Sequence, residues 1–265
     1  MDERPIGMFD SGVGGLTVLR EVINQNSGEN IVYLGDTKRF PYGSKSKETI
    51  IELTKKGIDF LVEKGVKAVI IACGTATSQA LDELKSHYEI PIIGIIDATV
   101  QYIKQNQNRK EVGIMATTGT IRSKGWENHL KREIPTIQIQ SQACPLLAPM
   151  AEEGWITNEI AKLVVHEYVK SFHEIDTLIL GCTHYPLFEP LLQKELGKGV
   201  EIINTGKIVS IELKKFLKQK AMNNDRGNQR KIYLTDTQTN FVKVANLLLD
   251  SKKEMLEIEK VDIEV

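Results

Sequence analysis

Short runs of β-branched and other apolar residues alternate along the chain with longer stretches of helical spacing. In the longer stretches apolar residues recur three and four positions apart, as in residues 53–62, which is typical of an amphipathic helix. The short runs predict nine strands, at residues 6–9, 30–35, 67–72, 91–95, 111–116, 136–140, 177–181, 200–204 and 231–235. Strands that alternate with helices favour an α/β fold with mainly parallel sheets.

The chain also contains an internal repeat. Residues 7–12 (Gly-Met-Phe-Asp-Ser-Gly) resemble residues 113–118 (Gly-Ile-Met-Ala-Thr-Thr). Residues 68–75 (Ala-Val-Ile-Ile-Ala-Cys-Gly-Thr) resemble residues 177–183 (Thr-Leu-Ile-Leu-Gly-Cys-Thr). The repeat predicts two similar units; the alternative is one continuous sheet with a chance likeness between its parts.

Each copy of the repeat places a cysteine at the carboxyl end of a predicted strand. Cys73 follows Asp10 by 63 residues, and Cys182 follows Ala116 by 66 residues. Open α/β sheets bind ligands beyond the carboxyl ends of their strands. We therefore predict two facing, flavodoxin-like lobes, with the active site in the cleft between them and one cysteine on each side.

The predicted lobes are discontinuous in sequence. We expect a crossover near Asp97 and a return near Gly206, so that residues 1–96 plus 206–265 form the first lobe and residues 97–205 the second. The strand at 231–235 then packs back on the first lobe, after a polar, linker-like stretch at 223–230.

Composition and charge narrow the class of protein. Hydrophobic residues make up 41% of the 265 residues and charged residues 26%, so a sizeable core can form. The formal net charge of −1 argues against a dedicated nucleic-acid binder. No apolar run approaches the ~18–20 residues of a membrane span, and the first five residues lack a signal core, which predicts a cytoplasmic protein. Three cysteines do not make a disulfide framework, so their thiols are expected to be reduced.

A cysteine between a strand and a helix has a distinctive chemical setting. The free N–H groups and the positive dipole end of the helix lower the pKa of such a thiol from about 8.5. Thr75 and Thr183 follow closely and can cap those helices or donate to an anion. Because a thiolate and a thiol on opposite faces of a carbon can exchange its proton, Cys73 and Cys182 suggest two-base catalysis; the alternative is two small buried apolar residues. Cys144 lies outside the repeat and is predicted to be structural.

The glycine-rich segment at residues 10–15 follows the first strand. Together with Asp36 at the end of the second strand, it invites a dinucleotide-binding interpretation. Thr17, however, stands where the third glycine of that fingerprint belongs, and an acidic residue at the tip would repel a pyrophosphate. We instead predict that Asp10 and Ser11 face the cleft, where Asp10 orients an ammonium group or assists the nearby thiol.

Two further segments follow predicted strands. The turn at residues 40–43 can bring backbone N–H groups to the same cleft, although an ordinary turn is the alternative. His184 can hydrogen-bond to Cys182 or exchange a proton with it, or it can serve as a cap or packing residue. The Cys182–His184 pair has no partner residues at metal-ligand spacing, so no metal site is predicted.

Four ordered motifs resemble bacterial glutamate racemase, in the aspartate/glutamate racemase superfamily. They are Phe-Asp-Ser-Gly-Val-Gly-Gly-Leu-Thr at 9–17, Pro-Tyr-Gly at 41–43, Ala-Cys-Gly-Thr-Ala at 72–76 and Leu-Gly-Cys-Thr-His-Tyr-Pro at 180–186. The likeness extends from Pro5 to about Leu249. It implies a cofactor-independent enzyme that converts a small-molecule substrate, L-glutamate, to D-glutamate for peptidoglycan. Dimers are common in this family, so we expect a homodimer. The charge and the short apolar runs predict contact with neither nucleic acid nor membrane.

The resemblance also implies roles for particular residues. Cys73 and Cys182 would be the proton donors and acceptors, assisted by Asp10 and His184 respectively. Glu152 matches an acidic position that the family places near the second cysteine. The implied substrate-binding residues are Asp10, Ser11, Tyr42, Gly43, Gly74, Thr75, Thr183 and His184.

Gly74 departs from the family pattern, which has asparagine there. The change removes a polar contact to the substrate's head group worth about 1 kcal/mol, unless a water molecule or a neighbour fills the gap. It therefore supports a rival, a racemase of the same superfamily that acts on aspartate or another small amino acid. The chain also lacks the N-terminal extension of members activated by a peptidoglycan precursor, so that regulation is not expected.

Two alternatives of other classes remain from the residues themselves. A flavodoxin-type binding module would hold a phosphate ligand at residues 12–15 and would not need its cysteines. A thiol redox enzyme is the other, although the chain has no Cys-x-x-Cys pair.

Overall fold

The computed structural model describes residues 1–106, 109–237, 241–249 and 256–263. The strands in this part of the chain are β1 (Ile6–Asp10), β2 (Ile31–Gly35), β3 (Ala68–Ile71), β4 (Ile92–Gly94), β5 (Glu111–Ala116), β6 (Gln138–Ala143), β7 (Thr177–Leu180), β8 (Glu201–Asn204), β9 (Arg230–Leu234) and β10 (Glu257–Lys260).

The helices lie between these strands, and most follow a strand directly. They are α1 (Leu16–Gln25), α2 (Lys47–Glu63), α3 (Gly74–Leu84), α4 (Ile95–Gln105), α5 (Thr118–Ser123), α6 (Gly125–Glu133), α7 (Leu147–Glu152), α8 (Glu159–Val169), α9 (Glu189–Leu196), α10 (Thr205–Gln219) and α11 (Phe241–Leu249). Short 3-10 segments occur at Thr37–Arg39, Tyr42–Ser44 and Tyr185–Phe188.

The strands form two parallel sheets with the same internal order. The first sheet runs β10-β9-β2-β1-β3-β4, and the second runs β6-β5-β7-β8. Four strands of each sheet therefore correspond one to one, with β1, β2, β3 and β4 equivalent to β5, β6, β7 and β8. The α/β fold with two similar, mainly parallel lobes is confirmed, and with it the internal repeat.

All nine strands expected from the hydrophobic pattern are present, with bounds shifted by a few residues. β10 is the strand that the pattern missed. Its four residues, Glu-Ile-Glu-Lys, are all exposed, and it pairs with β9 at the edge of the first sheet. A charged edge strand carries no alternation of apolar and polar faces from which it can be recognised.

The helix expected at residues 53–62 is α2, which begins at Lys47 and is capped by the hydroxyl group of Ser46. Leu53, Ile58 and Leu61 are buried against the first sheet, as the spacing predicts. Val62 is 39% exposed and does not belong to the buried face. The apolar stripe is therefore narrower than the sequence indicated.

Two long helices carry the chain between the lobes. α4 leaves the first sheet and α10 returns to it; they pack against each other, while α10 also contacts α1 and α4 also contacts α6. The largest apolar core runs through this layer and includes Met8 of the first sheet, Ile114 of the second and Trp126 of α6. We predicted one domain of residues 1–96 plus 206–265 and a second of residues 97–205. The first boundary falls within α4 and the second at the start of α10. This division into domains stays a prediction.

A buried ion pair lies at the amino-terminal ends of the strands of the first sheet, opposite the cavity. Lys67 Nζ donates to Glu29 Oε2 over 2.6 Å, and the two side chains are 0% and 3% exposed. Asn224 donates its backbone N–H to the second oxygen of Glu29 over 2.7 Å. The stretch at 223–230 is therefore fastened to the first lobe by a charged group.

Within the described residues, no helix is long and apolar enough to cross a membrane.

Candidate active site between the lobes

A cavity of about 390 Å³ lies where the two lobes face each other. It opens at the carboxyl ends of β1 and β3 in the first sheet and of the equivalent strands, β5 and β7, in the second. Its walls consist of residues from both lobes: Ser11, Phe40, Pro41, Tyr42, Gly43, Ser44, Cys73, Gly74, Thr75, Thr117, Thr118, Arg122, Pro145, Ala148, Pro149, Gly181, Cys182, Thr183 and His184. A cleft at this position is where parallel sheets of this strand order bind ligands.

The first thiol stands at the start of α3. The Cys73 sulfur accepts the backbone N–H of Ala76 over 3.4 Å and so caps the helix itself. It also donates to the Ser11 hydroxyl group over 3.3 Å. Burial raises the pKa of Cys73 to about 12, and the negative charge of Asp10 adds to that increase. The expected lowering of this pKa is wrong, because desolvation outweighs the contribution of the helix N–H group.

Asp10 ends β1 directly behind the cavity wall. It is 1% exposed, and its Oδ2 accepts the backbone N–H of Gly12 over 3.0 Å. Its Oδ1 has no hydrogen-bond partner among the described residues. Burial raises the pKa of Asp10 to about 6, although the positive charge of His184 and the amide groups of Gly12 and Gly15 act in the opposite direction. The carboxyl group can thus hold or release a proton near neutral pH.

The second thiol forms a relay with two side chains of its own lobe. The Cys182 sulfur lies 3.8 Å from Nδ1 of His184, whose Nε2 lies 3.0 Å from Oε1 of Glu152. Burial by itself would lower the pKa of His184, but the hydrogen bonds to Cys182 and Glu152 outweigh it and raise the pKa to about 10. The imidazole therefore carries a positive charge at neutral pH next to the Cys182 sulfur.

The segment after Cys182 differs from the expected helix. His184 begins a short 3-10 segment, Tyr185–Phe188, before α9 starts at Glu189. Such a short segment presents a much smaller dipole than a full helix, so the cation next to Cys182 is His184 itself.

Cys144 has different surroundings. It is fully buried, does not line the cavity, and its thiol donates to the Gln142 carbonyl oxygen over 3.5 Å. Burial raises the pKa of this thiol well above its usual range. Its position among the apolar residues of the second lobe agrees with the structural role that was predicted.

Tyr42 and Gly43 line the cavity next to Cys73. The Tyr42 hydroxyl points away from the cavity and donates to Oδ2 of Asp36 over 2.7 Å. The other oxygen of Asp36 accepts from Thr235 over 2.8 Å and pairs with Arg39. Asp36 is fully buried in this network, so it cannot bind the ribose of a dinucleotide.

Three threonine hydroxyl groups join the lobes along one wall of the cavity. The Thr75 hydroxyl lies 3.0 Å from that of Thr117 and 3.1 Å from that of Thr120, and the last two are 2.9 Å apart. Thr75 does not cap α3, as one interpretation had it, since Cys73 occupies that position. Thr183 likewise caps no helix; its carbonyl oxygen accepts the Thr17 hydroxyl over 2.6 Å.

Residues that the sequence did not single out also line the cavity. Thr117 was within reach of sequence reasoning, because the repeat aligns it with Ser11. Arg122 was not, because α5 has no counterpart motif; among the described lining residues it is the only lysine or arginine. Glu152 and Asp10 stand behind the wall and act on the cavity through the groups that they contact.

No group of three or more His, Cys, Asp or Glu residues that could hold a metal ion occurs in the described parts of the chain.

Comparison with known proteins identifies the family. Residues 13–210 match the Asp/Glu/Hydantoin racemase family. The glutamate racemase of Aquifex aeolicus is 40% identical over 250 residues, which cover 94% of this chain and 95% of that protein.

Solved structures agree over the whole chain. The glutamate racemase of Francisella tularensis, determined in complex with D-glutamate, is 36% identical with a TM-score of 0.92 and covers 100% of this chain and 99% of its own. A glutamate racemase isoform of Bacillus anthracis is 34% identical with a TM-score of 0.93 and covers 100% of both chains. The chain therefore belongs to the glutamate racemases, a family of isomerases among the Asp/Glu/hydantoin racemases.

Proposed function

We propose that this protein interconverts L-glutamate and D-glutamate through two cysteines, and so supplies D-glutamate for peptidoglycan. The observation that carries the proposal is the presence of Cys73 and Cys182, one from each lobe, in the wall of one cavity. They occupy equivalent positions of the repeat, after β3 and β7. The relative from Francisella tularensis, solved with D-glutamate, supports the choice of substrate.

The reaction is a proton transfer on each face of the α-carbon. A thiolate on one face removes the α-proton and becomes a thiol, leaving the electron pair on the substrate. The thiol on the opposite face donates its own proton to that electron pair and becomes a thiolate. The product is the other enantiomer, no atom is gained or lost, and the two sulfurs have exchanged protonation states.

The surroundings of the two sulfurs differ. Cys73, with its pKa raised to about 12, is held as the thiol, whereas Cys182 lies next to the positively charged His184. For Cys73 to remove the α-proton it must first lose its own proton, and the buried carboxyl group of Asp10, whose charge acts on this thiol and whose pKa is about 6, is the group that assists it.

The other cavity residues hold the amino acid. The N–H groups at Gly74 and Thr75 begin α3, where a carboxylate is stabilised by free backbone donors and the positive end of the dipole. The backbone at Tyr42 and Gly43 and the Thr183 hydroxyl complete the binding set on the two sides of the cavity. Arg122 adds a positive charge that suits a substrate with two carboxylates.

Aspartate is the second candidate substrate, and Gly74 is the observation that favours it. Incubating the protein with L-glutamate, L-aspartate and a panel of other L-amino acids in deuterated water, and following loss of the α-proton, decides between them. The proposal expects rapid exchange with glutamate and slow exchange with the others. Faster exchange with aspartate would move the assignment to the rival, and exchange with none would refute a racemase function.

We also propose that the protein is a homodimer. Between residues 146 and 163 four large apolar side chains are exposed, Leu146, Trp155, Ile160 and Leu163, with Leu163 at 70%. Exposed apolar groups of this size favour burial against a second copy. Light scattering should give a dimeric mass for the parent and a lower mass for Leu163→Glu; a monomeric parent would contradict the proposal.

A further inference from the structure

Gly74 and Gly181 face each other across the cleft with almost no space between them. A Cβ atom added to Gly74 would lie 2.1 Å from the carbonyl oxygen of Gly181 and 3.2 Å from its carbonyl carbon. Since carbon and oxygen atoms cannot approach so closely, the contact is possible only because residue 74 is a glycine. A backbone segment of the first lobe thus rests directly on a backbone segment of the second.

Gly181 is held closely within its own lobe. Its N–H donates to the Met115 carbonyl oxygen over 2.8 Å and continues the ladder between β5 and β7. A Cβ added to Gly181 would lie 2.9 Å from Nε1 of Trp126 and 3.1 Å from the Ala116 side chain, so this segment is packed tightly against its own lobe. A side chain at position 74 is therefore accommodated only if the lobes move apart.

A second contact of the same kind joins the lobes at Gly43 and Gly119. A Cβ added to Gly119 would lie 2.4 Å from the carbonyl oxygen of Gly43 and 3.1 Å from its carbonyl carbon. Gly119 belongs to α5 of the second lobe, and Gly43 follows β2 of the first. Backbone of the first lobe thus touches backbone of the second at two places.

We propose that the Gly74–Gly181 contact, supported by Gly43–Gly119, sets the closed width of the cleft and hence the distance between the two thiols. Gly74 follows Cys73 in the chain and Gly181 precedes Cys182, so any change in their spacing is passed directly to the sulfurs. Gly74 is in this sense a positioning residue for the two-thiol reaction. The inference rests on the proposed function, because the width matters only if both sulfurs reach one α-carbon.

The size of the effect follows from the geometry. To bring the added Cβ from 2.1 Å to the 3.0 Å that real contacts require, the lobes must separate by nearly 1 Å at this point. A misplacement of about 1 Å between reacting groups lowers turnover by roughly 100-fold. Asparagine at position 74 adds the same Cβ together with an amide group, so it brings the same separation.

The test compares Gly74→Ala and Gly74→Asn with the parent. Crystal structures should show a longer distance between the sulfurs of Cys73 and Cys182 in both variants. The kcat for glutamate should fall by about 100-fold, with a smaller change in KM. Gly199→Ala is the matched control, because a Cβ there meets nothing within 4 Å, and it should keep the parent kcat.

Unchanged sulfur spacing, or a kcat within threefold of the parent in Gly74→Ala, would overturn the inference, and so would improved turnover in Gly74→Asn. If Gly74→Ala yields no folded protein, Gly119→Ala answers the same question at the second contact between the lobes, with the same expected and contrary results. Cys73→Ser is assayed in parallel. If it keeps parent activity, the proposed function fails; if it is inactive while Gly74→Ala is normal, only the spacing inference fails.

Discussion

Oε1 of Glu152 lies 3.0 Å from Nε2 of His184, although 32 residues separate them in the chain. The contact places a carboxylate on the side of the imidazole opposite the Cys182 sulfur. It raises the pKa of His184, together with the contact to Cys182, and so maintains the positive charge beside that sulfur. The positive charge next to the Cys182 sulfur therefore depends on a residue that does not line the cavity.

Replacing this carboxylate should move the alkaline side of the pH profile. In Glu152→Gln the pKa of His184 should fall, because one of the two groups that raise it has lost its charge. We expect the alkaline limb of kcat/KM to move down by about one pH unit, the effect of one charge-assisted hydrogen bond. Glu153→Gln, at the exposed neighbouring position, is the control and should keep the parent profile; an unmoved limb in Glu152→Gln would contradict the relay.

The acidic side of the profile should report Asp10. Burial raises its pKa from 3.8 to about 6, so the carboxylate is present above pH 6 and is lost as the pH falls below it. Since only the carboxylate can accept a proton from Cys73, kcat/KM should decline below about pH 6 in the parent. Asp10→Asn should be slower and should lack this limb; a pH–rate profile that keeps it would assign the limb to another group.

Turnover should depend strongly on Cys73 and Cys182 and very little on Cys144. Cys73→Ser and Cys182→Ser keep the shape of the site but replace a thiol by a hydroxyl group that does not ionise at working pH. Racemisation measured in both directions should fall by about 10³-fold in each. Cys144→Ser, outside the cavity, should stay within a few-fold of the parent. Near-normal turnover in either of the first two variants would remove that cysteine from the mechanism.

Arg122 should act on binding more than on chemistry. It is the only lysine or arginine among the described lining residues, and the substrate carries two carboxylates. Arg122→Gln should raise KM for glutamate by about tenfold, corresponding to ~1.4 kcal/mol, and leave kcat nearly unchanged. Lys131→Gln, an exposed cation of α6 outside the cavity wall, is the control; equal KM values for parent and Arg122→Gln would show that this charge does not contact the substrate.

The free energy of unfolding should depend on the buried ion pair between Lys67 and Glu29. Lys67→Met leaves Glu29 buried and without its cation, which costs about 3–5 kcal/mol of unfolding free energy. Lys55→Met removes an exposed pair with Asp59 and should cost less than ~1 kcal/mol. Urea unfolding compares the two; similar midpoints would mean that the buried pair does not stabilise the fold.

Much of the architecture could be predicted because apolar runs and the internal repeat are visible over short stretches of the sequence. Buried strands of parallel sheets are continuous apolar runs. The repeat in the sequence also places Cys73 and Cys182 at equivalent positions. The same alignment of Ser11 with Thr117 extends to a residue that had not been singled out. β10 was missed because its exposed, charged residues carry no periodic pattern.

Long-range quantities could not be predicted in this way. The pKa of Cys73 depends on how much of the chain buries the sulfur, and a helix-start argument alone has the opposite sign. From the sequence, Gly74 indicated only the loss of an amide contact with the substrate. In the structure, Gly74 is a point where the two lobes touch. Both depend on atoms brought from distant parts of the sequence.

Deuterium incorporation in the first turnovers tests the two-thiol account most directly. The parent enzyme is mixed with L-glutamate in deuterated water, and the two enantiomers are separated before the substrate pool has mixed. The account predicts D-glutamate that carries deuterium at the α-carbon, while the remaining L-glutamate keeps its proton, because the removing and the donating sulfur are different groups. D-glutamate that retains the original α-proton, or deuterium that appears equally in unconverted L-glutamate, would contradict it.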